Sequence, residues 1–388
     1  MRSISLLSCI PLLTVLPSSV QAAYSLQELW AGDDFFDGWR FWGNRDNLTN
    51  GATYYVAADE AQDVAYTNAD GNVVIKVDNT SQLAPNGLRN SVRITTERAF
   101  DIGHLFVMDA LHLPYGCSVW PAFWTHAVSW PSGGECDIVE GVNLQEANGV
   151  ALHSVAGCFA ADGTGVPTGE LTATNCDHTV NANQGCTFED ARNASYGAEF
   201  AEGGGGVYAM ELSSEAISVW FFPRNEVPAD LRDSSTSPDP TTWGRPVAYY
   251  ASSGCNINQF FAPQQITINI ALCGDWAGQP GVFSPVCGTG TCAEYVADPS
   301  HFDTAYFEIA SVRVYGGGLN TRYTNGTLAA ASGIIGAIGG GDAGAMATGV
   351  SSAGRLVAPG AEGGVRAGLG AVVTVLIAGL SAVLYLSH

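Results

Sequence analysis

The chain has 388 residues, with 15 Lys and Arg against 37 Asp and Glu, and its formal net charge is −22. So acidic a surface repels nucleic acids and anionic lipids, whereas a neutral polymer is indifferent to it. The 47 glycines and the short alternating apolar segments argue against long helices and predict an all-β protein.

The N-terminal residues 1–22 have the composition of a secretory signal peptide. An Arg at position 2 precedes an apolar run from Ile4 to Leu16, and Val20-Gln-Ala22 forms a small-residue cleavage site. We therefore expect an exported protein that passes through an oxidising compartment.

Several short apolar segments alternate with the period of a β-strand. The clearest are residues 73–77, 217–221, 266–271 and 310–315. Segments of this kind over residues 23–317 predict one large sandwich of two β-sheets.

Three tryptophans occur within eleven residues, at Trp120, Trp124 and Trp130. Indole faces stack on the C–H faces of sugar rings, so the run suggests the walls of a sugar site. Trp120 and Trp124 lie two alternation steps apart and share a face, which is either core or cleft. Trp130 lies among Pro and Gly residues, and we expect it to be exposed in a loop.

Three acids follow directly, in the segment Glu135–Glu140 (ECDIVE), although only 13% of the chain is charged. Its Ile and Val favour a strand, so Glu135 and Asp137 point the same way. Glu140 joins that face only if a β-bulge accommodates one extra residue. The alternative, an exposed polar edge strand, does not account for the neighbouring tryptophans.

Trp120-Pro-Ala-Phe-Trp124 followed by Gly134-Glu-Cys-Asp-Ile-Val-Glu140-Gly-Val-Asn143 resembles the active-site signature of glycoside hydrolase family 16. The pattern Glu-x-Asp-x-x-Glu is similar to the fungal laminarinase-like endo-1,3(4)-β-glucanases, whereas lichenases have one residue fewer. Similar segments surround Phe35–Trp39, Arg89–Arg93 and Cys273–Gly278, so the resemblance covers residues 24 to 317. It implies a β-jelly-roll sandwich of the concanavalin A type with a concave substrate cleft.

The resemblance also implies the catalytic roles. Glu135 would be the nucleophile, Glu140 the acid/base, and Asp137 would assist both. Carboxyl groups so close together on one strand fit a retaining mechanism, in which they lie about 5–5.5 Å apart. His153, on the strand predicted next, would support the acids by contacting substrate or the acid/base; the alternative is a hydrogen-bonded structural histidine.

Substrate contacts are implied at Asn44 and Arg93 and at the three tryptophans of the run. Trp276 lies in a Gly-Asp-Trp-Ala-Gly segment, which predicts a turn that presents the indole as a sugar platform. His-x-x-x-His and Cys-x-x-Cys are absent, so no zinc site is indicated. We expect no cofactor, and no pattern specifies a structural calcium. The expected partner is a β-glucan polysaccharide, bound by a monomer.

Nine cysteines lie beyond the signal segment, and Cys136 is the unpaired one. At its position the family normally has a bulky aliphatic residue, so we expect Cys136 to point between the sheets, with slightly looser packing and unchanged chemistry. The other eight could form four disulfides, of which only Cys176–Cys186, which closes a local loop, is predicted. Asn-x-Ser/Thr sequons predict N-glycosylation at Asn47, Asn79, Asn193 and Asn325.

The composition changes after Tyr315. Residues 318–366 are dominated by Gly, Ala and Ser and predict a flexible linker. Residues 367–388 then contain a 20-residue apolar run, either a transmembrane helix or a glycolipid-anchor signal with attachment near Ser351 or Ser352. We favour the anchor, which predicts an extracellular protein held at the cell surface or cell wall.

Three functions remain open. The first is hydrolysis of internal β-1,3 or mixed β-1,3/1,4 glucan bonds. The second is transglycosylation of cell-wall glucan, in which a sugar instead of water intercepts the same covalent intermediate. The third is a non-catalytic glucan-binding wall protein on the same fold.

Overall fold

The computed structural model describes residues 24–161, 165–234 and 237–317, and the backbone of two further strands at 321–324 and 327–330. Its strands, in chain order, are β1 Ser25–Trp30, β2 Trp39–Phe41, β3 Asn44–Arg45, β4 Thr53–Tyr55, β5 Ala65–Thr67, β6 Val73–Lys76, β7 Arg89–Ser91, β8 Arg93–Thr96, β9 His104–His112, β10 Val119–Ala127, β11 Glu135–Glu140, β12 Gly149–His153, β13 Glu170–Ala173, β14 Cys186–Glu189, β15 Gly206–Leu212, β16 Ala216–Pro223, β17 Ala248–Ala251, β18 Gln264–Leu272, β19 Tyr306–Gly316, β20 Thr321–Thr324 and β21 Thr327–Ala330.

The helices of the described residues are short, and the longest has eight residues. The α-helices are α1 Gly197–Glu202, α2 Ala229–Arg232, α3 Ile257–Phe260, α4 Gly274–Ala277, α5 Pro280–Cys287 and α6 Cys292–Tyr295. The 3-10 helices are Gly32–Asp34, Ala58–Glu60, Asn181–Asn183, Asn193–Ser195, Arg224–Glu226, Pro240–Thr242 and Pro299–Phe302.

Two eight-stranded antiparallel sheets form the body of the fold. The outer sheet has the order β17-β16-β15-β9-β19-β6-β5, with β1 also paired to β19. The cleft sheet has the order β13-β14-β12-β11-β10-β18-β8-β2. A small third sheet has the order β3-β4-β7, and its strands lie between β2 and β8 in the sequence. The predicted all-β jelly-roll sandwich is confirmed, and each of the four predicted strands overlaps an observed one.

Strand alternation explains where the core lies. Phe106 and Met108 of the outer sheet and Phe123 and Leu152 of the cleft sheet belong to one buried apolar cluster between the sheets. The outer sheet also buries its other face, in a second cluster around Trp220 that segment 227–243 helps to form. The second face of the cleft sheet, by contrast, carries polar side chains that line a cleft.

The disulfides agree with the sequence-based expectation. Eight cysteines pair as Cys117–Cys287, Cys158–Cys255, Cys176–Cys186 and Cys273–Cys292. Cys136 is unpaired and buried in the intersheet cluster, as predicted.

The terminal predictions fall mostly outside the described residues. Signal segment 1–22, Asn325, most of the 318–366 linker and tail 367–388 all lie there. Within the predicted linker, β20 and β21 pair as an antiparallel hairpin. No helix among the described residues is long and apolar enough to cross a bilayer.

Candidate active site

The acidic strand β11 contains the predicted bulge. Glu135 pairs with His126 of β10, and Asp137 pairs with Trp124, but the register then shifts so that Glu140 pairs with Ala122. The same shift separates Asp137 and Glu140 in the pairing with β12. One extra residue is thus inserted between the second and third acids, and all three carboxylates line the cleft.

The start of β11 is fixed by a glycine. Gly134 has φ +73°, and a Cβ atom there would lie 2.6 Å from the Phe261 ring. Only glycine adopts this backbone conformation in so tight a space without strain. Gly134 therefore sets the position from which the side chain of Glu135 enters the cleft.

The floor of the cleft is built from rows of residues that face one another across neighbouring strands. The first row is His153, Glu135 and His126; the second is Ala151, Asp137, Trp124, Thr267, Thr95 and Arg40; the third is Glu189, Gly149, Glu140, Ala122, Asn269 and Arg93. All of these residues line a cleft of about 1140 Å³. A polymer lying along the rows would cross the strands and pass over all three acids.

The two glutamates are coupled electrostatically. Burial raises the pKa of Glu135 and of Glu140 to about 8, and the charge of Asp137 is the next largest cause for both. The charge of Glu140 also raises the pKa of Glu135, so ionisation of both carboxyls at once is disfavoured. His153 lies closest to Glu135 and Asp137, with their ligand atoms all within 4.8 Å of one another. Its positive charge lowers the pKa of both glutamates and so favours their ionised forms.

His153 is held as a cation between two oxygen acceptors. Its Nε2 lies 3.1 Å from Asp137 Oδ2, and its Nδ1 lies 3.0 Å from Asn183 Oδ1. Burial opposes the charge, but the contact with Asp137 and the nearby glutamates raise the pKa of His153 to about 10. Glu135, Asp137 and His153 thus form one cluster of two acids and a histidine, with a direct contact between His153 and Asp137.

Two of the cleft tryptophans fix polar partners. Trp120 donates its indole N–H to Glu140 Oε1 at 2.7 Å, and Trp124 donates to Asn269 Oδ1 at 2.7 Å. Both indoles line the cleft, while the alternating residues Val119 and Phe123 belong to the core. The choice between core and cleft that the sequence left open is thus decided for the cleft.

Trp130 and Trp276 lie on the walls. Trp130 is 43% exposed, in the loop before β11, and packs edge-on against His178 at 5.2 Å. Trp276 packs edge-on against Trp120 at 5.5 Å. It lies in the four-residue helix α4 rather than in the predicted turn. Disulfides Cys117–Cys287 and Cys273–Cys292 fasten the segment after α4 to the ends of β10 and β18.

Arg93, on β8, lines the cleft beside Trp42 and Asn47. Its guanidinium stacks over the Trp42 ring at 4.0 Å and donates to Asn47 Oδ1 at 3.0 Å. Asn44 is not among the cleft-lining residues, and its predicted contact with substrate stays a prediction. Its side-chain oxygen instead accepts a hydrogen bond from the backbone N–H of Arg45 at 2.8 Å.

The described sequon asparagines lie in different settings. Asn47 is exposed and lines the cleft beside Arg93. Asn193 is exposed on the surface, whereas Asn79 is half-buried and its amide bonds Lys76 and Asp303.

Several cleft residues were not identified from the sequence. They come from loops or from unremarkable positions on strands, and the main ones are Trp42, His126, Asn183 and Asn269. Their positions depend on which residues pair across neighbouring strands, and no sequence pattern specifies that register. Trp42 could have been suspected because tryptophans often line sugar sites, but the path of its loop could not be predicted from the sequence.

Comparison with known proteins agrees with this geometry. Residues 39–315 match the family described as the XgeA-like, catalytic GH16 domain. A probable glycosidase of Schizosaccharomyces pombe is 39% identical over 302 residues, covering 77% of this chain and 71% of that protein. An endo-1,3(4)-β-glucanase of Arthroderma benhamiae is 38% identical over 313 residues, covering 78% and 67%. The chain spans about half of the Emericella nidulans endo-1,3(4)-β-glucanase, to which it is 36% identical.

Solved structures give the same result. The GH16 laminarinase 16A from Phanerochaete chrysosporium, solved with β-glucans in its donor and acceptor sites, is 39% identical with a TM-score of 0.72. The match covers 76% of this chain and all of that one. A GH16 β-1,3-glucosyltransferase described as elongating is 36% identical with a TM-score of 0.70 at the same coverage. The chain therefore belongs to the XgeA-like branch of glycoside hydrolase family 16, within the endo-1,3(4)-β-glucanase family of glycosidases.

Proposed function

We propose that the protein is an endo-acting, retaining β-glucanase that cleaves β-1,3 and mixed β-1,3/1,4 glucan through a covalent glycosyl-enzyme. The observation that carries this proposal is the bulged strand β11, which presents an ionisable pair, Glu135 and Glu140, on one face of the cleft beside Asp137 and His153. A carboxylate and a carboxylic acid flanking one bond are the groups that retaining glycosidases need.

In the first step, an ionised oxygen of Glu135 attacks the anomeric carbon as the bond to the leaving-group oxygen breaks. Glu140 gives its proton to that oxygen, so the leaving sugar departs as an alcohol. In the second step, Glu140 takes a proton from water. The water oxygen then displaces Glu135, which restores both carboxyls to their starting states.

Asp137 and His153 support this cycle through charge. Asp137 keeps the pKa of Glu140 high, which retains the proton needed for the first step, and it holds His153 as a cation. His153 in turn lowers the pKa of Glu135 against the larger effect of burial. In the proposed cycle Glu135 is the carboxyl that reacts ionised and Glu140 is the one that keeps its proton for the leaving group.

The substrate class rests on the shape of the cleft and on the relatives. The cleft crosses the full width of the strand rows and is lined by tryptophans, which suits an internal stretch of a neutral polysaccharide. The related fungal enzymes are named endo-1,3(4)-β-glucanases, and the related laminarinase was solved with β-glucans. The non-catalytic alternative has no support in a chain of a glycosidase family with all three acids present.

The stereochemistry tests the mechanism. Proton NMR of the first product formed from laminarin should show the β anomer before mutarotation, and initial α product would contradict the proposal. Glu135→Gln should abolish activity even on an aryl glycoside with a good leaving group. Glu140→Gln should keep the first step on that substrate, because a good leaving group needs no proton.

Transglycosylation is the second candidate, favoured by the similar glucosyltransferase. Both reactions share the first half, so the partition depends on which acceptor reaches the intermediate. Product analysis with laminarin alone and with added laminari-oligosaccharide distinguishes them. Products longer than the donor would favour transfer, and unchanged hydrolysis products would favour the glucanase.

We also propose an extracellular, glycosylated monomer held at the cell surface by a glycolipid anchor. The four disulfides support passage through an oxidising compartment, and the C-terminal composition supports the anchor. Release by phosphatidylinositol-specific phospholipase C would support the anchor. Resistance, with residues 367–388 found in the mature protein by mass spectrometry, would favour a transmembrane span.

A further inference from the structure

His126 lies on the cleft floor directly beside the nucleophile, although no catalytic role has been assigned to it above. It is the cross-strand neighbour of Glu135 on β11 and of Gln265 on β18. Directly opposed residues on antiparallel strands have Cβ atoms about 4.5–5.5 Å apart. A sugar ring bound against Glu135 on the side of β18 would therefore lie over the imidazole of His126.

The hydrogen bonds of His126 fix which ring nitrogen is available. Nδ1 lies 3.1 Å from the carbonyl oxygen of Ala127, so it carries the hydrogen and donates. Nε2 has no hydrogen-bond partner among the described residues, and in this tautomer it is an acceptor. The ring is held in place by Trp124, whose centroid lies 4.7 Å away.

The pKa of His126 is lowered chiefly by burial, although its hydrogen bond to Ala127 acts in the opposite direction, and this favours the neutral ring. Arg93 of β8 and Arg40 of β2 lower that pKa further. Asp137 of β11 acts in the opposite direction as a smaller cause, and Glu135 faces it across the strand pair. A neutral imidazole with Nδ1–H engaged presents one well-placed lone pair to the cleft.

We propose that His126 is a specificity-determining residue that accepts, at Nε2, a hydrogen bond from a hydroxyl of the glucose ring bound beside Glu135. The inference rests on the proposed glucan function and adds a recognition contact to it. A sugar hydroxyl is the fitting donor because the polymer is neutral and rich in O–H groups. A ring that lacks a hydroxyl at this position would leave Nε2 without a partner in a desolvated site.

The experiment compares two variants with opposite hydrogen-bonding capacity. His126→Leu removes the acceptor and keeps much of the volume, whereas His126→Gln places an amide oxygen near the position of Nε2. Each is combined with Glu135→Gln to stop turnover, and binding of laminaritetraose is measured by calorimetry. His104→Leu, on the outer sheet, is the matched control, and thermal melts verify that every variant is folded.

We expect His126→Leu to weaken binding about 2- to 12-fold, the range for one neutral hydrogen bond, with His126→Gln recovering most of it. Laminaritetraoses that each lack one hydroxyl group identify the donor. The protein that retains His126 should bind one of these analogues less tightly than the parent sugar. The His126→Leu variant should bind that analogue and the parent sugar equally well. Equal affinity of His126, His126→Leu and His104→Leu proteins would overturn the inference. Failure of the wild-type cleft to bind or cleave any β-glucan would instead overturn the proposed function.

Discussion

The side-chain oxygen of Asn148 accepts a hydrogen bond from the backbone N–H of Glu140 at 3.1 Å. The same amide donates its Nδ2 to the carbonyl of Ile138 at 2.9 Å. These two backbone groups flank Val139 in the bulged segment, where the ladder to β12 is interrupted. Asn148 is buried and replaces the missing strand partner, so it holds Glu140, the proposed acid/base, in position on β11.

Asn148→Ala should therefore impair catalysis as well as stability. Leaving two buried backbone groups unpaired costs about 1–3 kcal/mol each, and displacement of Glu140 by about 1 Å costs on the order of 100-fold in kcat. Ser213→Ala is the control, because Ser213 is also buried and bonds the N–H and carbonyl of Ala216, but in the outer sheet. Denaturant unfolding should show losses in both, and kcat should fall only for Asn148→Ala. Equal kcat in the two variants would contradict the positioning role.

His153→Gln should move the acid limb of the pH–rate profile to higher pH. The imidazolium lowers the pKa of Glu135, so its removal raises that pKa and delays ionisation of the nucleophile as pH rises. His104→Gln, on the outer sheet, should leave the profile in place. The measurement is kcat/KM on laminarin from pH 3 to pH 9. A drop in rate with an unmoved acid limb would assign His153 a purely structural role.

Much of this site was predictable from the sequence because the pattern that defines it lies within a few consecutive residues. The spacing Glu-x-Asp-x-x-Glu requires an extra residue for all three acids to share a face, and the register shows that residue. Cys176–Cys186 spans ten residues and was predicted, whereas Cys117–Cys287 spans 170 and was not. Local spacing constrains near pairs only.

The remaining residues depend on which strands become neighbours. Asn269 lies in the same cross-strand row as Glu140 only because β18 pairs with β10, although the two strands are far apart in the sequence. Asn183 reaches His153 from a loop whose path no pattern specifies. No sequence pattern fixes the direction of Asn44, which lies in the two-residue strand β3; Asn47, three residues later, is the asparagine that bonds Arg93.

Trp120→Phe should shift the alkaline limb of the pH–rate profile upward. The indole N–H stabilises the ionised form of Glu140, so its loss raises the pKa of Glu140 further. Trp124→Phe is the matched control, since its indole donates to the neutral amide of Asn269. We expect weaker substrate binding in both variants and a shifted alkaline limb only in Trp120→Phe. Identical limbs in the two would show that the Trp120 contact does not tune Glu140.

Glu140→Gln should stabilise the protein at alkaline pH and leave it unchanged in acid. The folded pKa of Glu140 is raised from 4.5 to about 8, so its contribution to stability is fully present below pH 4.5 and is lost as pH rises through 8. The neutral amide avoids this loss. Thermal melts should show an increase of about 2 °C or more at pH 8.5, equivalent to roughly 0.5–1 kcal/mol in a domain of this size, and none at pH 4.5.

Glu294→Gln provides a control of opposite sign. Hydrogen bonds to Thr291 lower the pKa of Glu294 in a helix capping box, so its contribution is present above pH 4.5 and is lost as pH falls. This variant should lose stability near neutral pH and match the wild type in strong acid. If Glu140→Gln followed the same direction, Glu140 would be ionised in the folded protein and could not serve as the acid.

Cys136 should be chemically inert in the folded protein despite lying next to the nucleophile in sequence. Its side chain is buried between the sheets, and burial raises the pKa of the thiol well above its usual value. Iodoacetamide at pH 8 should therefore modify Cys136 only after unfolding, as followed by mass spectrometry. Cys136→Val should keep glucanase activity and change stability by less than about 1.5 kcal/mol, because the exchange is apolar and nearly conserves volume. Rapid labelling of the native protein would show that β11 opens, which would undermine the rigid placement of Glu135 on which the mechanism depends.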